Sequence, residues 1–368
     1  MIAVLAPGQG AQSPGMLAPW LELDGVSEQV ATFSELSGLD LARLGTTADA
    51  DEIRDSAVTQ PLIVAMGLIT ASQLQLGAMS EDRSERQRAR TGAIGSTASE
   101  DRSERQRART GAIGTTVTED VVLAGHSVGE VTASAIAGVL TPEQAISFSA
   151  RRGSEMAAAC AAVPTSMVAL LGGDPEEVVA AIQNAGLTPA NRNGAGQIVA
   201  AGSLEAIAAL TANPPAGTRI RPLRVAGAFH TSYMSPAEQN LRTVAAQLTP
   251  ADPTATLLSN ADGAVISDGP AVLDRLVGQV TRPVRWDLCL DTLRDLGVTG
   301  AIELAPAGAL TGIARREFTG VRLVAVKSPA DLEAARHLLA DSAAPGPDAQ
   351  ATPSSSGQPV AQLATGMS

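Results

Sequence analysis

Lysine is almost absent from this chain of 368 residues: Lys327 is the only one, and all other side-chain basic charge is arginine. With 26 basic and 38 acidic residues the formal net charge is −12, which excludes a broad nucleic-acid-binding face, because neutralising phosphates needs a positive surface. Arginine suits bidentate recognition of carboxylate or phosphate better than lysine does. The two cysteines, Cys160 and Cys289, lie far apart without metal-ligand spacing. Neither a disulfide framework nor a metal site is expected, and both read as reduced core thiols. Aromatic residues make up only 2% of the chain and there are three histidines, so histidine-dependent chemistry has few places to reside. No apolar run is long enough to cross a bilayer, and MIAVLAPGQG has neither the basic start nor the length of a signal peptide. These absences lead us to expect a cytoplasmic monomer with no cofactor, no nucleic-acid partner and no membrane contact.

What is present is 45% hydrophobic residues, enough for one large domain and a smaller one. Ile2 to Ala6 reads as a buried strand leading into the turn-rich PGQGAQSPG. Val58 to Leu76 reads as a buried helix starting near Gln60-Pro61 and packed beside the strand before Ser127. The segment SEDRSERQRARTGAIG occurs twice, at Ser80 to Gly95 and at Ser99 to Gly114. It is too charged to build a repeat core, so residues 80–117 are expected as an exposed or disordered insertion, and a basic docking arm is the alternative. Residues 165–229 run strand, helix, strand, strand, helix, strand, the order of a small ferredoxin-like βαββαβ domain inserted in a large α/β-hydrolase-like parallel-sheet domain of residues 1–164 and 230–340. The proline- and serine-rich residues 341–368 are expected as a disordered tail.

The hexapeptide GHSVGE carries the chemistry. It matches G-x-S-x-G, whose glycines allow a sharp strand-to-helix turn that lifts a serine hydroxyl above the sheet. VVLA supplies the strand before it, and EVTASAIAGVL supplies a small-residue helix after it. The helix directs its free N–H groups at charge developing on a substrate of Ser127. The Val128 amide is the natural first oxyanion donor, and the PGQG loop is the best source of a second. Serine needs a base. His126 precedes Ser127 and should point away; His337 lies on a charged helix; His230, in GAFHTSYM at a strand end, remains. Taken alone, GHSVG also describes a tight turn, and His230 a structural histidine.

PGQGAQ, GHSVGE, SARRGSEM and GAFHTSYM, with NRNGAGQIVAAG and QVTRPVRWD, resemble the malonyl-CoA:acyl carrier protein transacylases and the related acyltransferase domains of polyketide synthases. The resemblance covers about residues 1–78 and 118–332 and leaves out the duplication and the tail. It implies Ser127 as nucleophile and His230 as base, oxyanion donors at the amides of Gln9 and Val128, and a main-chain carbonyl at Gln279 orienting the histidine. A conventional acidic third member would instead be something like Asp262. Arg152 matches the family arginine that pairs with a malonyl carboxylate, with Arg151 as the competing choice. Phe229 occupies the position where malonyl-selective relatives carry phenylalanine. Asn191, Asn193 and Gln197 match a motif near the active site, though hydrogen bonding within the small domain explains them equally well. The implied reaction moves malonyl from malonyl-CoA to the phosphopantetheine thiol of acyl carrier protein. A serine thioesterase or esterase, a discrete polyketide acyltransferase and a catalytically silent carrier-binding module are the alternatives.

Overall fold

A computed structural model of the chain describes residues 1–77 and 120–343. The duplicated segment and nearly all of the expected tail lie outside that range. From the N-terminus, β1 (Ile2–Ala6) leads to α1 (Val26–Ser37), α2 (Leu41–Thr46) and α3 (Ser56–Gln73). Next come β2 (Val121–Gly125), α4 (Gly129–Ile136) and α5 (Pro142–Ala162). The chain then forms β3 (Thr165–Gly172), α6 (Pro175–Asn184), β4 (Thr188–Arg192), β5 (Gln197–Ser203), α7 (Leu204–Ala212) and β6 (Thr218–Pro222). It returns through α8 (Ser235–Ala245), β7 (Thr256–Leu257), α9 (Gly269–Gly278), β8 (Val284–Arg285) and α10 (Trp286–Asp295). It continues with β9 (Gly300–Glu303), α11 (Ala309–Glu317), β10 (Arg322–Ala325) and α12 (Leu332–Ala343).

Five parallel strands form one sheet in the order β10-β9-β1-β2-β7. Every residue of β1 and β2 is buried, as expected of central parallel strands covered on both faces. Their side chains alternate between two cores. Ile2, Val4 and Leu123 pack with α1, α3, α4 and α5, whereas Ala3, Leu5, Val122 and Ala124 pack with Trp286, Leu290 and Leu310.

The second sheet has the order β6-β3-β5-β4-β8, with antiparallel pairing among the first four strands. β8 joins β4 in parallel and comes from outside residues 165–229. One face, carrying Val168, Leu170, Ile198 and Ala200, packs on α6 and α7. The other face, carrying Met167, Ala169, Val199 and Ala201, merges with the main core. A cleft of about 870 Å³ lies between the loops that follow β1 and β2 and the second sheet.

Several local expectations are corrected. α3 starts at Ser56 because the Asp55 carboxylate accepts from the Ala57 amide, a cap that outweighs the one bond Pro61 cannot donate inside the helix. α3 packs mainly on α4 and α5 rather than beside β2. β6 ends at Pro222, with Leu223 making a last bond to the Met167 oxygen at 3.1 Å, so Phe229 and His230 sit on a loop and not at a strand end. α12 runs through Ala343, and its Asp341 pairs with Arg322 at 2.6 Å, so residues 341–343 belong to a helix rather than to a tail.

α11 had no sequence signal at its start. Its first amides are held from a distance: the buried Glu303 carboxylate accepts from the amides of Gly308, Leu310 and Thr311 and from the Thr311 hydroxyl, all at 2.8 to 2.9 Å.

Candidate active site

β2 ends at Gly125, and the chain turns back on itself before α4. A Cβ on Gly125 would lie 2.1 Å from the Gly129 carbonyl carbon, and one on Gly129 would lie 2.2 Å from the Ala6 carbonyl oxygen. Only glycine fits at either position. The turn places Ser127 at φ 52, a left-handed conformation that a non-glycine residue keeps only when its surroundings enforce it. His230 is likewise left-handed, at φ 60.

The Ser127 hydroxyl lies 2.8 Å from His230 Nε2, and His230 Nδ1 lies 2.8 Å from the main-chain oxygen of Gln279. A carbonyl only accepts, so Nδ1 carries the proton and Nε2 is free to accept from the serine. Burial, followed by the positive charge of Arg152, pushes the His230 imidazole down to about 3. The ring is therefore neutral and available as a base across the physiological range.

Arg152, 1% exposed, projects from α5 behind the serine. Its Nη1 donates to Gln60 Oε1 and its Nη2 to Gln279 Oε1, both at 2.7 Å; Nη2 also lies 3.4 Å from Ser127 Oγ. Its Nε–H has no partner among the described residues. Burial lowers Arg152 to about 10, which leaves it charged. A buried guanidinium with an idle donor beside a nucleophilic hydroxyl is suited to an anionic group on the reacting molecule. Arg151 points elsewhere and pairs with Glu155 at 2.7 Å, half exposed.

The remaining expected positions divide as follows. Gln9, Val128, Asn191, Gln197 and Phe229 all line the cleft with Ser127 and His230. The main-chain amides of Gln9 and Val128 donate to no other described residue. Asn193 accepts from His126 Nε2 at 2.8 Å, tying the elbow to the second sheet. His126 also lines the cleft, with its ring edge on Trp286 at 5.6 Å. His337 is exposed beside Glu333. Asp262 is half exposed and bound to Arg275 at 2.6 Å, so it is not a partner of His230.

Two participants, Gln60 and Glu130, carried no sequence signal, and Gln279, expected only for its main-chain carbonyl, also takes part through its side chain. Gln60 and Gln279 both grip Arg152 through side chains 92 and 127 positions away. Glu130, directly after the elbow, is buried and accepts from the Asn260 amide at 2.6 Å and from Gln279 Nε2. Burial raises its carboxyl to about 7, against the pull of the Asn260 amide, the Ser259 hydroxyl, the Gln279 amide and Arg152.

A hydroxyl on a strained strand-to-helix elbow, hydrogen-bonded to a neutral imidazole with free amides nearby, defines the class of serine acyl-transfer enzymes. The family described as the acyl transferase domain matches residues 107–326. A malonyl CoA-acyl carrier protein transacylase of Mycobacterium tuberculosis is 50% identical over 333 residues, 90% of this chain and 98% of the relative. The crystal structure of MCAT from Mycobacterium tuberculosis superposes with a TM-score of 0.77 at 50% identity, covering 91% of this chain and 99% of that one. A malonyl-transacylase solved in complex with its type II PKS acyl-carrier protein gives 0.74 at 27% identity, covering 92% and 99%. The chain belongs to the malonyl CoA-acyl carrier protein transacylase family, and it is an acyltransferase.

Proposed function

We propose that this enzyme transfers a malonyl group from malonyl-CoA to the phosphopantetheine thiol of acyl carrier protein in fatty-acid biosynthesis, through a malonyl ester on Ser127. The observation that carries the reading is the Arg152 guanidinium, buried and incompletely paired, 3.4 Å from a hydroxyl that already donates to an imidazole. The names of the relatives agree with it.

In the first half-reaction Ser127 Oγ bonds to the thioester carbonyl carbon while its proton passes to His230 Nε2. The amides of Gln9 and Val128 donate to the resulting oxyanion. Collapse breaks the C–S bond, and the departing CoA sulfur takes the proton from His230. In the second half the carrier thiol gives its proton to His230 and attacks the ester carbonyl. Ser127 then leaves with that proton. The Gln279 carbonyl holds the ring and its Nδ1 proton throughout.

Arg152 binds the malonyl carboxylate. An acetyl group leaves that charge unsatisfied, at a cost of about 2 to 5 kcal/mol. The same ion pair offsets the charge that depresses His230, so a correct substrate makes its own base more basic. Phe229 closes the wall beside the acyl group, with Asn191 and Gln197 lining the channel. Arg219 and Arg316 line the outer cleft, are exposed and join no ion pair among the described residues. On a chain of net charge −12 they supply local positive charge for CoA phosphates and an acidic carrier.

We read the parallel sheet as α/β-hydrolase-like and residues 165–229 as a ferredoxin-like insertion, supported by the elbow at the end of β2 and by the βαββαβ order. The remaining residues of the described chain form the large domain. The proposed chemistry calls for no metal or cofactor, and we place the enzyme in the cytoplasm as a monomer without nucleic-acid or membrane partners. No helix among the described residues is long and apolar enough to cross a membrane.

Intact-mass spectrometry with malonyl-CoA tests the reading. One malonyl unit on Ser127, discharged by carrier protein, is expected. Rapid release to water indicates a thioesterase, and no adduct indicates a silent binding module. Arg152→Ala should erase the preference for malonyl over acetyl; retention of that preference removes the carboxylate clamp.

A further inference from the structure

The buried network behind Ser127 has an order imposed by donors and acceptors. Arg152 has only donors to offer, so the atom of Gln279 that meets it must be Oε1. The other end of the same amide, Nε2, donates to the Glu130 carboxyl and to the Ser127 carbonyl oxygen at 3.1 Å. Glu130 is fixed in turn, because its second oxygen accepts from the Asn260 amide and the Asn260 side chain donates to the Gly125 carbonyl at 2.9 Å. An amide can turn over by 180°, and in a buried site its orientation follows from its neighbours. If Gln279 turned, its NH2 would face a guanidinium and its oxygen would face a carboxyl.

We propose that Glu130 is a positioning residue: by requiring a donor from Gln279 it directs Gln279 Oε1 at Arg152, and thereby aims the guanidinium that selects acyl groups bearing a free carboxylate. The inference rests on the assignment of Arg152 as the malonyl clamp. Glu130 stands away from the cleft surface and does not line it. Its effect runs through one side chain whose main-chain carbonyl also holds His230. A plain structural explanation competes with this one: an acidic residue in the first turn of α4 stabilises the helix end and ties down the loop at Asn260 whatever Gln279 does.

Selectivity separates the two. Glu130→Gln keeps the shape but replaces one of the two accepting oxygens with an NH2, which then faces either the Asn260 amide or Gln279 Nε2, donor against donor. The kinetics of Ser127 acylation are measured with malonyl-CoA and acetyl-CoA, split into KM and kcat. The malonyl-to-acetyl ratio of kcat/KM should fall about tenfold or more, mainly through the malonyl-CoA KM, with a much smaller change for acetyl-CoA. In a Gln279→Leu background, which keeps the main-chain carbonyl, adding Glu130→Gln should leave the ratio within about twofold of the single variant, because the two act in series. Equal losses for both acyl groups, an unchanged ratio, or additive effects in the double variant overturn the proposal. Should Glu130→Gln fail to fold, Glu130→Asp is read by the same ratio and the same outcomes. Arg152→Ala is run alongside. If it keeps the malonyl preference, the clamp itself fails; if it loses the preference while the Glu130 variant keeps it, only the positioning role fails.

Discussion

Ser127 and His230 meet at 2.8 Å, and the far side of the histidine ring is held at 2.8 Å by the main-chain carbonyl of Gln279 instead of by a carboxylate. The carbonyl fixes the tautomer as well as an acid would but brings no full negative charge to the imidazolium. His230→Ala should lower the acylation rate of Ser127 by about 10²- to 10⁴-fold, the usual worth of a positioned base. Asp262→Asn should leave that rate within about twofold, since its carboxylate serves Arg275. Quenched-flow acylation by malonyl-CoA measures both, and a large loss in the Asp262 variant would return a conventional triad to consideration.

Phe229 is buried in the cleft wall immediately before the base. On the proposed reading, its ring fills the space that a branched acyl chain would need. One extra methyl group is worth about 1 to 3 kcal/mol in such a pocket. Phe229→Ser should therefore raise methylmalonyl relative to malonyl acylation by about tenfold or more, measured in competition with both thioesters. An unchanged ratio assigns Phe229 to the core alone.

The contrast between what the sequence revealed and what it concealed follows the range of the interactions. β1, β2 and the elbow are written in contiguous residues, since an unbroken apolar run followed by GHSVGE has few other ways to fold. His230 emerged because there were only two other histidines to exclude. The network behind the serine is different: Glu130, Asn260 and the side chain of Gln279, of which only the main-chain carbonyl was expected, are ordinary until tertiary structure brings together positions 149 and 130 apart in the chain. α11 was missed for the same reason, as its cap is Glu303, on the strand before it. The expected strand up to Phe229 was too long, because pairing with β3 ends at the Leu223–Met167 bond although the apolar pattern runs on.

Two glycines of the described chain should respond oppositely to alanine. At Gly129 the new methyl would meet the Ala6 carbonyl oxygen at 2.2 Å, main chain that has no room to move. Gly129→Ala should cost about 3 kcal/mol or more and abolish acylation of Ser127. Gly312 lies inside α11, with nothing within 4 Å of the added carbon. Gly312→Ala should stabilise the protein by about 0.5 to 1 kcal/mol. Urea unfolding checks both; a neutral Gly129→Ala would mean that the elbow is looser than its contacts require.

The response of stability to acid depends on two buried groups with opposite signs. His230 titrates near 3 in the folded chain instead of its ordinary 6.5, so below pH 6.5 the unfolded chain takes up a proton that the folded one refuses. Its contribution is complete above pH 6.5 and falls by about 1.4 kcal/mol per pH unit on acidification. Glu130, raised from 4.5 to about 7, binds a proton in the folded state that the unfolded state has already released. Its contribution is complete below pH 4.5 and is lost as pH rises through 7. Between pH 4.5 and 6.5 the two slopes oppose each other and largely cancel. Glu130→Gln removes one of them, so its stability relative to wild type should drop on going from pH 6.5 to 4.5 by about 1.4 kcal/mol per unit. Parallel denaturation curves at several pH values measure the difference directly, with exposed carboxylates common to both proteins dropping out. Parallel pH dependence in the two proteins would mean that Glu130 titrates near its ordinary value and is more hydrated than its surroundings imply.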